Sequence, residues 1–199
     1  MFNVMLDRLP TEYKGYPINS DFRIGIQIFQ ALSDNELTDM EKMSISCALL
    51  FDVKGVAEYP DMTTMQEGVQ WFLSDWYTDN PIKSKEKQKK DMDYDVDQWR
   101  IFSAFLTQFR INLNNVDMHF WVFMGLLSTL EECAFTQVVD IRTKKIDPKM
   151  KPSDKKMLKE AKERYALENV EDTQMSAQER AEYDAFMKYA KKGKNKDGN

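Results

Sequence analysis

The fold is decided by two neighbouring apolar segments, DQWRIFSAFLTQF at residues 97–109 and MHFWVFMGLL at residues 118–127. In the first segment, large apolar residues recur at steps of three and four, which predicts a helix with one buried face. The second is apolar on every side from Phe120 to Leu127, and it is far shorter than the roughly 20 residues that a membrane span needs. We therefore predict a core helix that packs on the first, with six residues mutually buried: Trp99, Phe102, Leu106, Trp121, Phe123 and Leu127.

The composition favours a helical protein. The chain has 199 residues, of which 42% are hydrophobic and 31% are charged, with only seven Gly and six Pro. A chain of this length buries a real core, and so few Gly and Pro are untypical of a β-sandwich. We predict an all-α fold: a compact multi-helix domain with a short N-terminal β-hairpin at 13–18, plus a C-terminal helix.

Local signals place the helices of the first eighty residues. The spacing of apolar residues predicts a helix at 21–33. Thr38 with Glu41, and Thr63 with Gln66, each match the capping box that satisfies free amides at a helix start. We therefore predict that two further helices begin beside Thr38 and Thr63.

Two changes of composition define the organisation of the chain. A run of Lys and then Asp residues with few apolar ones predicts a charged internal connection at about 79–92. Residues 168–175 are acidic and unpatterned, and Ser176 with Glu179 opens a last helical pattern. We predict a helical domain at 1–167, followed at 168–199 by an acidic connection and an appended C-terminal helix.

The charge is unevenly distributed along the chain. Residues 142–164 carry ten Lys and Arg against four acids, a local +6 in a chain of net charge −5. Within this segment we predict a basic helix that is capped by Ser153. The segment is a solvated helix face, a surface for an acidic partner or self-association, or a nucleic-acid site, the last being the least favoured.

No combination of residues predicts catalysis, a cofactor or a metal. His119 is the single histidine, whereas zinc needs three or four N or S ligands. A Gly-x-Ser-x-Gly elbow and a glycine-rich phosphate loop are both missing from the sequence. The carboxylates from Asp91 to Asp95 are spaced as in a calcium loop, but Val96 and Phe102 replace the Gly and Glu of that loop. We predict a protein that is not an enzyme, with His119 in a structural role.

The two cysteines and the first residues indicate a cytoplasmic protein. Cys47 and Cys133 lie in predicted helices near the apolar side, which is typical of free thiols in a reducing compartment. The first eight residues lack the positive start and long apolar run of a signal peptide. We expect no membrane association.

Methionine and tryptophan are abundant. Most of the methionines are expected to fill the core, but Met together with aromatic residues is also typical of surfaces that bind helices adaptably. The chain has 13 Met and four Trp, and both residue types are enriched at adaptable or energetically central contacts. Trp71 lies off the apolar stripe of its helix and is expected at an edge. We predict partner binding through four residues: Trp71, Lys155, Lys156 and Lys159.

Five motifs follow one another between Trp99 and Leu167: the aromatic helix from Trp99 to Phe109, the turn Ile111-Asn112-Leu113, the segment His119-Phe120-Trp121-Val122-Phe123, the pair Ile141-Arg142, and the ending Arg164-Tyr165-Ala166-Leu167. Their order resembles the bacteriophage gene-product-fifteen family of tailed phages and prophages of Gram-positive bacteria. The resemblance covers roughly residues 1–167, and the helix after Ser176 is additional to it.

The resemblance implies a tail assembly chaperone, whose gene lies between those of the major tail protein and the tape-measure protein. Such a chaperone binds the tape-measure protein, keeps it soluble during tail morphogenesis, and leaves before the virion is finished. The implied partners are the tape-measure protein and a companion chaperone, in the cytoplasm of an infected or lysogenic host. The family has no catalytic residues to transfer. The alternative is a minor structural component that stays in the virion.

Overall fold

A computed structural model describes residues 2–52, 59–76 and 91–167. These residues form an all-α fold with one small hairpin, as predicted. The elements are β1 (Glu12–Tyr13), β2 (Tyr16–Pro17), α1 (Phe22–Ser33), α2 (Asp39–Phe51), α3 (Met62–Ser74), α4 (Gln98–Ala104) with a π-helical continuation (Phe105–Phe109), α5 (Phe120–Ser128), α6 (Ala134–Thr143) and α7 (Pro152–Arg164). Most of the predicted connection at 79–92, and all of 168–199 with the predicted C-terminal helix, lie outside the described residues.

The N-terminal hairpin is confirmed, with Glu12 opposite Pro17 in an antiparallel pair. Its two turn residues, Lys14 and Gly15, have φ of 50° and 85°, which is the backbone that a two-residue hairpin turn requires. The Lys14 ammonium lies 2.6 Å from the Glu67 carboxylate of α3, so the turn is tied to the helical layer.

Two of the predicted helix starts, at α1 and α2, are confirmed, and two, at α3 and α7, are wrong. Asp21 caps α1, and Thr38 with Glu41 forms the predicted capping box of α2. At α3, by contrast, Asp61 accepts hydrogen bonds from the amides of Thr63 and Thr64. A carboxylate two residues upstream therefore replaces the predicted Thr63 cap, and hydrogen bonds from Thr64 lower the pKa of Asp61.

The start of α7 also differs from the prediction. Pro152 is the first residue of this helix and Lys151 is its cap, so Ser153 lies inside the first turn. Proline suits the first helical position because its φ is already helical and its missing N–H has no partner to lose there.

The centre of the fold is the aromatic helix α5. Phe120 and Phe123 are fully buried, and the ring of Phe120 lies so close to Gly25 that a Cβ there would overlap the ring. Glycine therefore permits the close approach of α1 and α5. Helix α1 also packs on α2, α2 on α3, α4 on α6, and α6 on α7.

The face of α4 that the sequence predicts to pack against α5 is only partly buried. Trp99 is 73% exposed and Leu106 is 41% exposed, while Phe102 is half-buried. The predicted burial is therefore wrong for Trp99 and Leu106. It is confirmed for the residues of α5, namely Trp121, Phe123 and Leu127.

The buried face of α4 is set by a charged residue. Four residues are buried on this face: Asp97, Ile101, Ala104 and Phe105. Successive members lie four, three and one positions apart in the sequence, which places them on the same side of a helix. The apolar pattern alone favours the stripe through Trp99, because it counts Asp97 as a surface residue. The hydrogen bonds of Asp97 explain why this rotation of the helix is the stable one.

Candidate protein-interaction site

Asp97 is the centre of a buried charge network. Its carboxylate accepts two hydrogen bonds from the guanidinium of Arg142, at 2.6 and 3.1 Å, and a third from Arg100 at 2.8 Å. The amide of Asp93 donates a fourth at 3.1 Å. A buried carboxylate is stable only with this kind of compensation. We call Asp97, Arg100 and Arg142 the Asp97 network.

The Asp97 network anchors the basic helix α7 to the core. The Nε atom of Arg142 donates to the carbonyl of Tyr165 at 2.7 Å, and Lys162 donates to the carbonyl of Arg142 at 2.6 Å. The guanidinium of Arg100 lies 5.8 Å from the ring of Tyr165. The side chain of Arg142 is thus buried in ionic and hydrogen-bonding contacts. The sequence pattern counts it in the basic segment, but it does not contribute to the basic surface.

The three predicted lysines lie on the outer side of α7. Lys156 and Lys159 are exposed, and Lys155 donates to the carbonyl of Pro148 at 2.6 Å. Met157 lies among them and is 68% exposed. These four residues form a basic surface with one apolar side chain, which we call the α7 surface.

Trp71 lies elsewhere, against the hairpin and α5. Its ring centroid is 4.9 Å from that of Tyr13 and 5.1 Å from that of Trp121. The residue is half-buried, so it sits at an edge as predicted. The structure does not group it with the lysines of α7, and its role in partner binding stays a prediction.

A groove of about 400 Å³ lies between α1 and α4. Phe22 and Phe123 are buried residues that line it, and the exposed Trp99 is part of its wall. A hydrogen bond of 2.6 Å between Gln30 and Asp95 joins two of its polar lining residues. Sequence reasoning missed this groove because it placed Trp99 in the core. We call it the Trp99 groove.

The single histidine has a structural role in the described fold. His119 caps α5: its Nδ1 accepts from the amide of Trp121 at 3.0 Å, and its Nε2 lies 2.9 Å from the carbonyl of Pro10. The imidazole that fits both partners is neutral, with the proton on Nε2. Burial lowers the pKa of His119 below its usual value of 6.5.

This histidine should make stability depend on pH. Protonation of Nδ1 removes the acceptor of the Trp121 amide, so the contribution of His119 is fully present above pH 6.5 and is lost as pH falls towards its lowered pKa. The conservative variant His119→Asn keeps a capping oxygen without a titrating group. Urea unfolding between pH 5 and about 7.5 should show a steeper loss for wild type than for His119→Asn. Parallel curves would contradict this role.

The described residues contain no group of three or more His, Cys, Asp or Glu placed to hold a metal ion. Both cysteines are free: Cys47 is buried in α2, where burial raises its pKa, and Cys133 is the half-buried cap of α6. Across residues 2–52, 59–76 and 91–167, the helices are too short or too polar to cross a membrane.

The family of this chain follows from comparison with known proteins. Residues 5–167 match the family model described as Bacteriophage Gp15 protein. The match covers most of the chain and includes every element from β1 to α7. The chain therefore belongs to the bacteriophage Gp15 family, which confirms the resemblance seen in its motifs. Searches of curated proteins and of solved structures found no match.

Proposed function

We propose that this phage protein is a non-catalytic tail assembly chaperone, which binds the tape-measure protein in the host cytoplasm and keeps it soluble. Family membership supports a phage role. The observation that carries the proposal is the α7 surface: Lys156, Met157 and Lys159 are exposed on a helix that the Asp97 network holds against the core.

The structure of α7 suits capture of a long partner. Arg142, Lys162 and the backbone at Tyr165 hold the helix in place, so little order has to be gained on binding. Exposed lysines speed the encounter with acidic segments of a partner, and an exposed methionine adapts to different apolar side chains. Rim charges mainly affect the rate of association, whereas buried anchors control dissociation.

Charge reversal on α7 is expected to slow capture of the tape-measure protein. The variant Lys155→Glu/Lys156→Glu/Lys159→Glu should bind several-fold more slowly at low salt, because encounter is electrostatic, with an unchanged thermal midpoint. Co-expression of the full chain with the tape-measure protein, pull-down and the soluble fraction give the first readout. Stopped-flow binding at two salt concentrations gives the rate.

A matched control separates the α7 surface from net charge. Lys145→Glu/Lys149→Glu/Lys151→Glu introduces the same charge change at exposed residues before α7, and it should bind nearly as fast as wild type. Equal slowing by both triple variants would show that only net charge matters. The proposal is wrong if the tape-measure protein is neither bound nor kept soluble. Detection of the chain in purified virions by mass spectrometry would favour the alternative of a retained tail component.

A further inference from the structure

Three consecutive apolar side chains near the N-terminus are presented to solvent on an ordered turn. Val4, Met5 and Leu6 are 64%, 86% and 82% exposed. The turn is held by hydrogen bonds from the amides of Leu6 and Asp7 to the carbonyl of Asn3, at 2.9 and 2.8 Å. Large apolar residues grouped on a surface in this way mark an interaction site. We call these three residues the apolar turn.

The residues on both sides of the apolar turn are fastened to the core. On one side, the ring of Phe2 packs edge-on against Trp121, with 5.1 Å between centroids. On the other, Leu9 packs on the core, and the carbonyl of Pro10 lies 2.9 Å from Nε2 of His119. A protrusion fixed at both ends loses little conformational freedom when it is bound. The apolar turn is therefore suited to insert into an apolar site of a partner.

The Trp99 groove is the matching concave feature of the same chain. Its volume of about 400 Å³ falls within the range of pockets that enclose bound groups. Its buried residues Phe22 and Phe123 are apolar, and Trp99 offers a large exposed ring at its wall. Tryptophan at such a position is typical of residues that dominate binding energy.

The two features face in different directions. Trp121 contacts Phe2, which lies just before the apolar turn in the chain, and Phe123 lines the groove. Two residues along an α-helix are separated by about 200° of rotation, so these side chains leave α5 on opposite sides. The apolar turn of one molecule thus points away from its own groove. Both surfaces also carry one charge of each sign, because Asp7 and Arg8 follow the turn, and Arg23 and Asp95 line the groove, so opposite charges are available for pairing.

We propose that the protein associates head to tail: the apolar turn of one copy inserts into the Trp99 groove of a second copy. The two surfaces of such a contact are different, so every bound copy still offers one free turn and one free groove. Association then continues until it closes into a ring or grows into a filament. This inference does not rest on the proposed function, since it concerns only contacts between copies of this chain.

Sedimentation velocity of the purified full chain tests the proposal. Wild type should form species larger than a dimer as concentration rises. Met5→Asp/Leu6→Asp, which removes the anchor, and Trp99→Asp, which puts a charge into the groove, should each weaken association at least tenfold. All three residues are largely exposed, so both variants should keep the wild-type circular dichroism and thermal midpoint. Met157→Asp is the matched control on an exposed methionine of α7 and should associate like wild type.

Mixing the two defective variants is the decisive measurement. The anchor variant retains a groove and the groove variant retains an anchor, so an equimolar mixture should form a 1:1 heterodimer that does not grow further. A wild-type chain that stays monomeric at all concentrations would overturn the proposal. So would a mixture that remains monomeric, because an intact turn and an intact groove would then have failed to associate. The tape-measure protein is absent from these experiments, so their failure is distinct from failure of the proposed function.

Discussion

Replacing Asp97 with Ala is expected to lower the free energy of unfolding by about 3–5 kcal/mol, because it leaves a buried positive charge without its partner. The side chain of Arg142 is only 6% exposed, and its remaining hydrogen bonds go to the carbonyls of Asp91 and Tyr165. Arg142→Ala should be similarly costly, since Asp97 would keep only Arg100 as a charged partner. Urea unfolding monitored by circular dichroism measures both changes.

The double variant Asp97→Leu/Arg142→Met should be more stable than the sum of the single losses predicts. Removing both charges also removes their desolvation cost, so the two effects are coupled. Glu160→Ala is the control, because its contact with Lys156 is 4.0 Å long and solvent-exposed; such pairs contribute little. If Asp97→Ala unfolds at the same urea concentration as this control, the Asp97 network does not anchor the fold.

The second large effect is expected at Phe123. Its ring is fully buried and stacks on Phe22 and Phe105, with centroid distances of 5.0 and 5.1 Å. Phe123→Ala removes these contacts and leaves a cavity, which should cost about 3–5 kcal/mol. The measurement is again urea unfolding of the full chain.

Trp99→Ala is the comparison for Phe123→Ala. Trp99 is an equally apolar residue of the same region, but it is 73% exposed and contacts the half-buried Phe102 at the edge of its ring. Its replacement should cost less than about 1 kcal/mol. Similar losses for the two variants would contradict the observed burial of α4. Predictions from the sequence pattern alone would expect both residues to matter for stability.

Local signals in the sequence determined where many elements begin. The Thr38–Glu41 box, the hairpin at Lys14 and Gly15 and the core helix around Phe123 all depend on residues close in the chain. Their physical causes are short-range: orphan amides, positive φ, and an apolar surface on every side of a helix. The order of such motifs also indicated the family. The function remains a proposal.

Tertiary structure decided which face of α4 is buried and where the basic segment is fixed. Asp97 and Arg142 lie far apart in sequence, and each one alone resembles a surface residue. Only when α6 packs on α4 do they form a bidentate pair at 2.6 and 3.1 Å. That pair offsets the burial of two charges and thereby selects the rotation of α4 that exposes Trp99. Periodicity reports the amount of apolar surface on a helix, whereas a specific long-range partner decides which polar residue is buried with it.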